Sequence, residues 1–508
     1  MALYDYPHTG NYDQDLGFLI KRYQELDEKY LTLVEIYEIV KKDIKDITLE
    51  QLQEWLDNGT FASLIDSYIF NGLPFNVLYP PNGFEPLIRN DTSEYTREFN
   101  SKQLNKYINY LGALESNNRG VIYFPKGNYF FSQPITINYK QIHLIGEGCA
   151  LTNLIYTKPT GTFITVNGSI DNILNYFKIA NMGINYTFIA SSEFPSEGSV
   201  TNHLLDIYYC QYSNLENLVF YYAYILVNLN NAYATRFINS QLMGSDKTIY
   251  GCNVINRVDS SVFTNVKATN LERTNDSIAF RIVGNASPKD IQLLSCETNG
   301  WQIGIQIDGS LTKFPVDIML KDTICDKFYS RGIRVSNMKG DKDIACLTID
   351  GGWFQQNETL TSQDAASSIE LVECHGAIIT NCQFNIYRNY NSITPLKIRS
   401  CRNILINNNV FQNGYRLCYV NKGRFINITN NSFRSIDENN EEPACLFIDS
   451  LYSNFTSNLI DGYFSYWVIS LNNSNLLVVS LNTTNKTTIP NGYQLVGASN
   501  VIENNITA

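Results

Sequence analysis

The sequence predicts a mainly β protein: a right-handed parallel β-helix of about 13 coils, preceded by an N-terminal α-helical coiled-coil stalk. Three observations predict it. A polar turn residue, usually Asn, recurs every 22 to 36 residues from Asn181 onward. An apolar heptad seam runs through the first 50 residues. The composition is poor in charge, at 17%, and rich in Asn, Ile and Tyr, with 34 Tyr alone, which is the usage of strands and turns repeated many times.

The seam comes first in the chain. Apolar residues fall at Leu16, Leu19, Tyr23, Leu26, Tyr30, Leu33, Tyr37, Val40, Ile44 and Ile47, alternating steps of three and four, with charges such as Lys21, Arg22, Glu25, Lys41 and Lys42 between them. A single amphipathic helix needs a wider apolar stripe, so the narrow seam reads as a coiled coil. Three Tyr in the seam widen its core and favour a trimer. Thr48 offers an N-cap for a short helix that ends at Asp57-Asn58-Gly59. Residues 60–90 are broken by Pro and Gly, and Asp91-Thr92-Ser93 opens a further helical stretch through Leu111.

The rest is a repeat. Asp290-Ile-Gln-Leu-Leu-Ser295 recurs as Asp317-Ile-Met-Leu-Lys-Asp322, 27 residues later, and Trp301 and Phe328 keep the same spacing. Aligning the turn position gives Gly146, Asn181, Asn217, Asn239, Asn265, Ser295, Asp322, Asp350, Asn381, Asn408, Asn430, Asn458 and Ser480. One such period holds about three short strands, and 13 coils at ~4.8 Å make a rod of about 60 Å. Asn suits the position because it tolerates left-handed backbone, and stacked amides can bond one another. Cys374 and Cys401, 27 apart, predict a second column inside the coils.

Composition also excludes. A net charge of −11 argues against a nucleic-acid partner. Eleven Cys, with no CxxC and with apolar neighbours, read as reduced and buried rather than as disulfides or a zinc site. The absence of a signal sequence or an 18-residue apolar run predicts a soluble chain made in a cytoplasm, without membrane insertion. The four His (His8, His143, His203, His375) are far apart, so neither a metal cluster nor a Ser-His-Asp set is expected, and no cofactor.

Residues 91–157 resemble the pectate-lyase-like β-helix superfamily. The phrases that carry the likeness are Asn118-Arg-Gly-Val-Ile-Tyr-Phe-Pro125-Lys-Gly127-Asn-Tyr129 and Ile142-His-Leu-Ile-Gly146-Glu-Gly148. Residues 1–65, with Tyr6-Pro-His-Thr-Gly10 and Asp15-Leu-Gly-Phe18 before the heptads, are similar to virion-attachment segments of phage tail and appendage proteins. Together they resemble a phage tailspike or pre-neck appendage. The resemblance implies a homotrimer in three parts: residues 1–59 for attachment to tail or collar proteins and trimerisation, 60–117 as connector and capping helix, and 118–508 as a receptor-binding or depolymerase β-helix. It implies a virion protein made in the host cytoplasm that binds host surface polysaccharide or teichoic acid and cleaves it; the alternative is a non-catalytic adhesin. Polygalacturonase signatures do not carry over, since only Cys374-His375-Gly376 and Lys397-Ile-Arg399 come near them.

Glycoside cleavage needs two carboxyl groups, one as acid and one as base or nucleophile. The turn column loses its Asn at Ser295, Asp322 and Asp350, which would place two carboxylates about 5 Å apart on adjacent coils. Asp322, Asp350, Asp326 and Glu297 are therefore the candidate catalytic residues, with Trp301 and Trp353 as candidate glycan-binding aromatics. The simpler explanation of Asp at these turn positions is that it forms the turn, since its side chain makes the same local bonds as Asn. The long step after 350 leaves room for a loop bearing Glu358, Asp364, Glu370 and Glu373.

Overall fold

A computed structural model describes residues 74–508, apart from 82, 115–119, 271, 273–275, 285–287, 311–314, 339–346, 357–365, 387–392, 414–415, 436–441 and short pieces of 465–508. The heptad seam and the short helix after Thr48 lie outside the described residues, as do Glu358 and Asp364. The described part is a parallel β-helix. Every strand pairs in parallel with its counterpart one coil away, as in Lys289–Leu294 beside Val316–Lys321 and Ile303–Asp308 beside Arg331–Ser336.

Each coil has three faces. From residue 289 the first face carries Lys289–Leu294, Val316–Lys321, Leu347–Asp350, His375–Thr380 and Arg402–Asn407. The second carries the short strands Glu297–Asn299, Ile324–Phe328, Trp353–Gln356, Gln383–Asn385 and Val410–Gln412. The third carries Ile303–Asp308, Arg331–Ser336, Ser367–Val372, Leu396–Arg399 and Cys418–Asn421. Period-2 alternation turns every second residue inward. Ile291 and Leu293 are thus stacked on Ile318 and Leu320 and then on Leu347 and Ile349, all at most 1% exposed. Within the second face Phe354, Phe384, Phe411 and Phe433 form one column, with ring centroids 4.4 to 5.1 Å apart, and Phe455 of the first face packs on its end at 5.5 Å.

The bend between first and second faces is the left-handed column. Asn181, Asn217, Asn239, Asn265, Ser295, Asp322, Asn381, Asn408 and Asn430 all have φ between 50° and 59°. Side-chain amides link neighbours, Asn217 Nδ2 to Asn181 Oδ1 at 2.8 Å and Asn265 Nδ2 to Asn239 Oδ1 at 2.9 Å. Three positions of the sequence alignment are corrected, one of them Ser480, which pairs with Thr456 and so lies one residue before the column. Asp350 pairs with Lys321 and Thr380, one residue before the column, and Gly351 takes the turn at φ 72°. A Cβ at Gly351 would collide with the Asp322 carboxylate, so this site needs glycine for room as well as for backbone. Ser457 replaces Asn458 in the same way, with φ 56°. Asp-Gly and Ser-Asn both offer two turn formers in a row, and only strand register chooses between them.

Asn458 belongs instead to a buried ladder one residue further on. The Oδ1 atoms of Asn409, Asn431, Asn458 and Asn482 each accept a backbone N–H from the coil before, all at 2.9 Å. Their Nδ2 groups donate to the carbonyls of Ile379, Ile406, Ile428 and Phe455 at 2.9 to 3.0 Å. Cys374 and Cys401 form the expected second column, the Cys374 N–H meeting Cys401 Sγ at 3.4 Å. Among the described residues the cysteines are free thiols, and nine of those ten are buried. The open end is covered by helix α1 (Glu94–Ala113), whose N-cap Ser93 accepts from the Thr96 N–H. The helix buries Leu104, Tyr107, Ile108 and Leu111 and so shields sheet edges that would otherwise pair with another chain.

Candidate active site

The outer side of the second face gathers part of the expected site. Register aligns Lys267, Glu297, Ile324, Trp353 and Gln383 in one outward column, and Thr269, Asn299, Asp326, Gln355 and Asn385 in the other. Glu297 and Asp326 thus lie on adjacent strands, offset by two residues. Lys267 Nζ is 3.0 Å from Glu297 Oε2. Asp326 Oδ2 accepts from Asn299 Nδ2 at 3.2 Å, while Oδ1 is buried with no hydrogen-bond partner among the described residues.

Burial raises the Asp326 carboxyl above its ordinary range; the Glu297 charge adds to this and Lys327 opposes it. A β-bulge sits at the same place. Asp326 pairs with Gln355 and Phe328 with Gln356, so Lys327 is left over at φ 51°. Such bulges re-aim side chains. The two carboxyl groups therefore sit in different environments: burial disfavours the charged form of Asp326, whereas Glu297 is ion-paired with Lys267. That is the division of labour a glycosidase requires. The half-buried Trp353 and the amides of Asn299, Gln355 and Gln383 complete a polar, ring-bearing surface.

The remaining expected residues fall elsewhere. Asp322 and Asp350 do not stack as a carboxylate pair. The Asp322 N–H donates to the Asp350 carbonyl at 2.8 Å, and Asp350 Oδ1 accepts from Asn381 Nδ2 at 2.8 Å, so both serve the turn. Trp301 is 1% exposed and packs against Gly244 and Gly251, which removes it as a surface for sugars. Its 27-residue match with Phe328 marked a core column, not a binding one.

The third face holds a charged group that sequence reasoning placed on a loop. Glu370 lies within the strand Ser367–Val372, with Oε2 2.7 Å from Arg331 Nε and Oε1 3.9 Å from an Arg399 nitrogen. Burial pushes the Glu370 carboxyl up, but Arg331, Arg399 and Lys397 outweigh it and hold the group below its ordinary range. Burial, with Arg331 and Arg399, brings the Lys397 ammonium down to about 8. Its folded value is depressed, so the penalty for holding the charge is complete below pH 8 and fades as pH rises to 10.5, the ordinary value. Lys397→Met is therefore expected to gain about 3 kcal/mol in denaturant unfolding at pH 7, less whatever the contact with the Ala366 carbonyl supplies. The gain should vanish near pH 10.5.

The fold is that of pectate-lyase-like parallel β-helices. Residues 96–307 match the family model described as rhamnogalacturonase A/epimerase, pectate lyase-like. A search of curated protein sequences finds no match. Among solved structures, a tailspike double mutant of E. coli bacteriophage HK620 in complex with a pentasaccharide is similar at TM-score 0.58 and 10% identity, covering 87% of this chain and 81% of that one. The unsubstituted tailspike with pentasaccharide gives TM-score 0.56 at the same identity and coverage. The A-module of an Azotobacter vinelandii mannuronan C-5 epimerase is similar at TM-score 0.41 and 12% identity, covering 80% of this chain and 95% of that one.

Proposed function

We propose that this chain is a phage tailspike or appendage protein that binds a host-surface polysaccharide or teichoic acid and cleaves it at Glu297 and Asp326. The observation that carries the reading is the buried, unpartnered Asp326 Oδ1 next to an ion-paired Glu297 on one outward face. In this mechanism Asp326 gives its proton to the glycosidic oxygen as the bond to the anomeric carbon breaks. Glu297 meets the positive charge that develops there, as nucleophile or as base for an attacking water. Trp353 carries the sugar ring. Residues 1–59 trimerise the protein and join it to the virion. The oligosaccharide complexes of the HK620 tailspike, which shares this fold, support the glycan reading.

The test is release of reducing ends from envelope polysaccharides of candidate hosts. Turnover proportional to protein is expected, and light scattering of the same preparation should give three chains. Tight binding with no new reducing ends at micromolar protein would leave the adhesin reading in its place.

A further inference from the structure

We propose that the edge between the third and first faces, over residues 373–452, is a second binding site, for a glycan polymer that carries acid groups. It lies around the coil from Asp326 and rests on glycan recognition, not on cleavage. A groove of about 400 Å³ crosses this edge, lined by Glu373, His375, Ser400, Arg402, Lys422, Arg424, Asp449 and Leu451. The coils make it by a repeated tight corner, with left-handed residues at Ser400 and Asn403, Lys422 and Phe425, and Asp449 and Tyr452. Each corner buries a small residue, Cys401, Gly423 or Ser450, and turns the next side chain outward.

The outward column reads His375, Arg402, Arg424, and Arg402 is directly in register with Arg424. Two guanidinium groups then stand one strand spacing apart, ~4.8 Å at the backbone, an arrangement that disfavours the empty protein. Several other cations among the described residues are neutralised, as Arg331 is by Glu370, Arg416 by Glu442 and Lys267 by Glu297. No such ion pair is formed by Arg402, Lys422 or Arg424 among the described residues. A concentration of unpaired cations in a chain of net charge −11 is a local reversal of sign. Glu373 and Asp449 at the ends confine it to the middle of the groove.

The second observation is aromatic. Phe425 and Tyr452, each next in sequence to a groove residue, stack at 5.2 Å with planes 14° apart, yet are 48% and 49% exposed. Exposed parallel rings beside unpaired cations fit a polymer that offers sugar faces and acid groups in alternation. The basic strip continues into a neighbouring groove of about 400 Å³, where Arg334 and Arg399 face outward.

The experiment is fluorescence anisotropy on the full chain with labelled oligomers of polyglucuronate (carboxylate), polyribitol phosphate (phosphodiester), dextran (neutral) and oligothymidylate. At least one of the two anionic glycans is expected to bind, more weakly as salt rises, and which of them binds identifies the acid group. The double variant R402Q/R424Q should lose at least tenfold in affinity with no fall in Tm, since a repulsion is removed. F425A should lose several-fold. Lys422→Gln alone serves as the check if the double variant unfolds. Unchanged affinity in folded R402Q/R424Q overturns the proposal. So does dextran binding as tightly as the acidic glycans, or oligothymidylate binding more tightly than they do. Reducing-end release from Asp326 is scored separately, so either reading can fail alone.

Discussion

Asp326→Asn is expected to lower turnover on the cleaved glycan by about 10³-fold while glycan binding and assembly persist, because protonation of the leaving oxygen is what the residue supplies. Glu297→Gln should cut turnover comparably through the opposite role, and its loss should persist at every pH. The pH profile of the wild type separates the two. Burial, then Glu297, raises the Asp326 carboxyl, so activity should fall as pH climbs through that raised value. Wild-type stability falls in the same direction. An Asp with a raised folded value is penalised above its ordinary value of 3.8, and the penalty is full once pH exceeds the raised one. Asp326→Asn should therefore be more stable than the wild type at neutral pH and equal to it near pH 3.8 or below. An inactive variant that is also less stable at neutral pH would point to a structural role instead. Full turnover in the variant would remove Asp326 from the mechanism.

Asn431→Leu should be among the most destabilising single changes in the molecule, at about 4 kcal/mol. Asn431 accepts the Asn409 N–H and donates to the Ile406 carbonyl, and both backbone groups lie in a dry column. Leucine keeps the volume but orphans a buried donor and a buried acceptor, each at about 1–3 kcal/mol. Asn430→Ala, one residue earlier and on the surface, should cost only about 1 kcal/mol, the strain of a left-handed alanine. Unfolding rates in guanidinium compare the two, since long β-helices tend to unfold irreversibly. Equal rates for the two variants would mean the buried ladder contributes nothing beyond the visible one.

The turn column was readable because each left-handed position has one local cause that recurs at coil length. Asn181, Asn217, Asn265, Asp322 and Asn408 could be found from their own type and spacing. The buried ladder could not. Asn430 and Asn431 look alike as a dipeptide, yet one bends the chain in solvent and the other satisfies the backbone of the coil before it. Glu297, Asp326 and Trp353 lie on one outward face because alternation acts alike on three successive strands. Arg402 and Arg424 passed unnoticed because 22 residues separate them in the chain, and only register makes them neighbours.

By itself the sequence determined the coil. Periodic turn residues and alternating Ile, Leu and Phe are local preferences, and their repetition leaves one way to stack them. Only the tertiary structure decided which side of each coil a polar residue occupies. Asp350 against Gly351, the inward Trp301 and the outward Asp326 all differ by a single-residue shift or a bulge. A shift of one residue reverses the face, and that choice is made by the hydrogen bonds of the coils above and below.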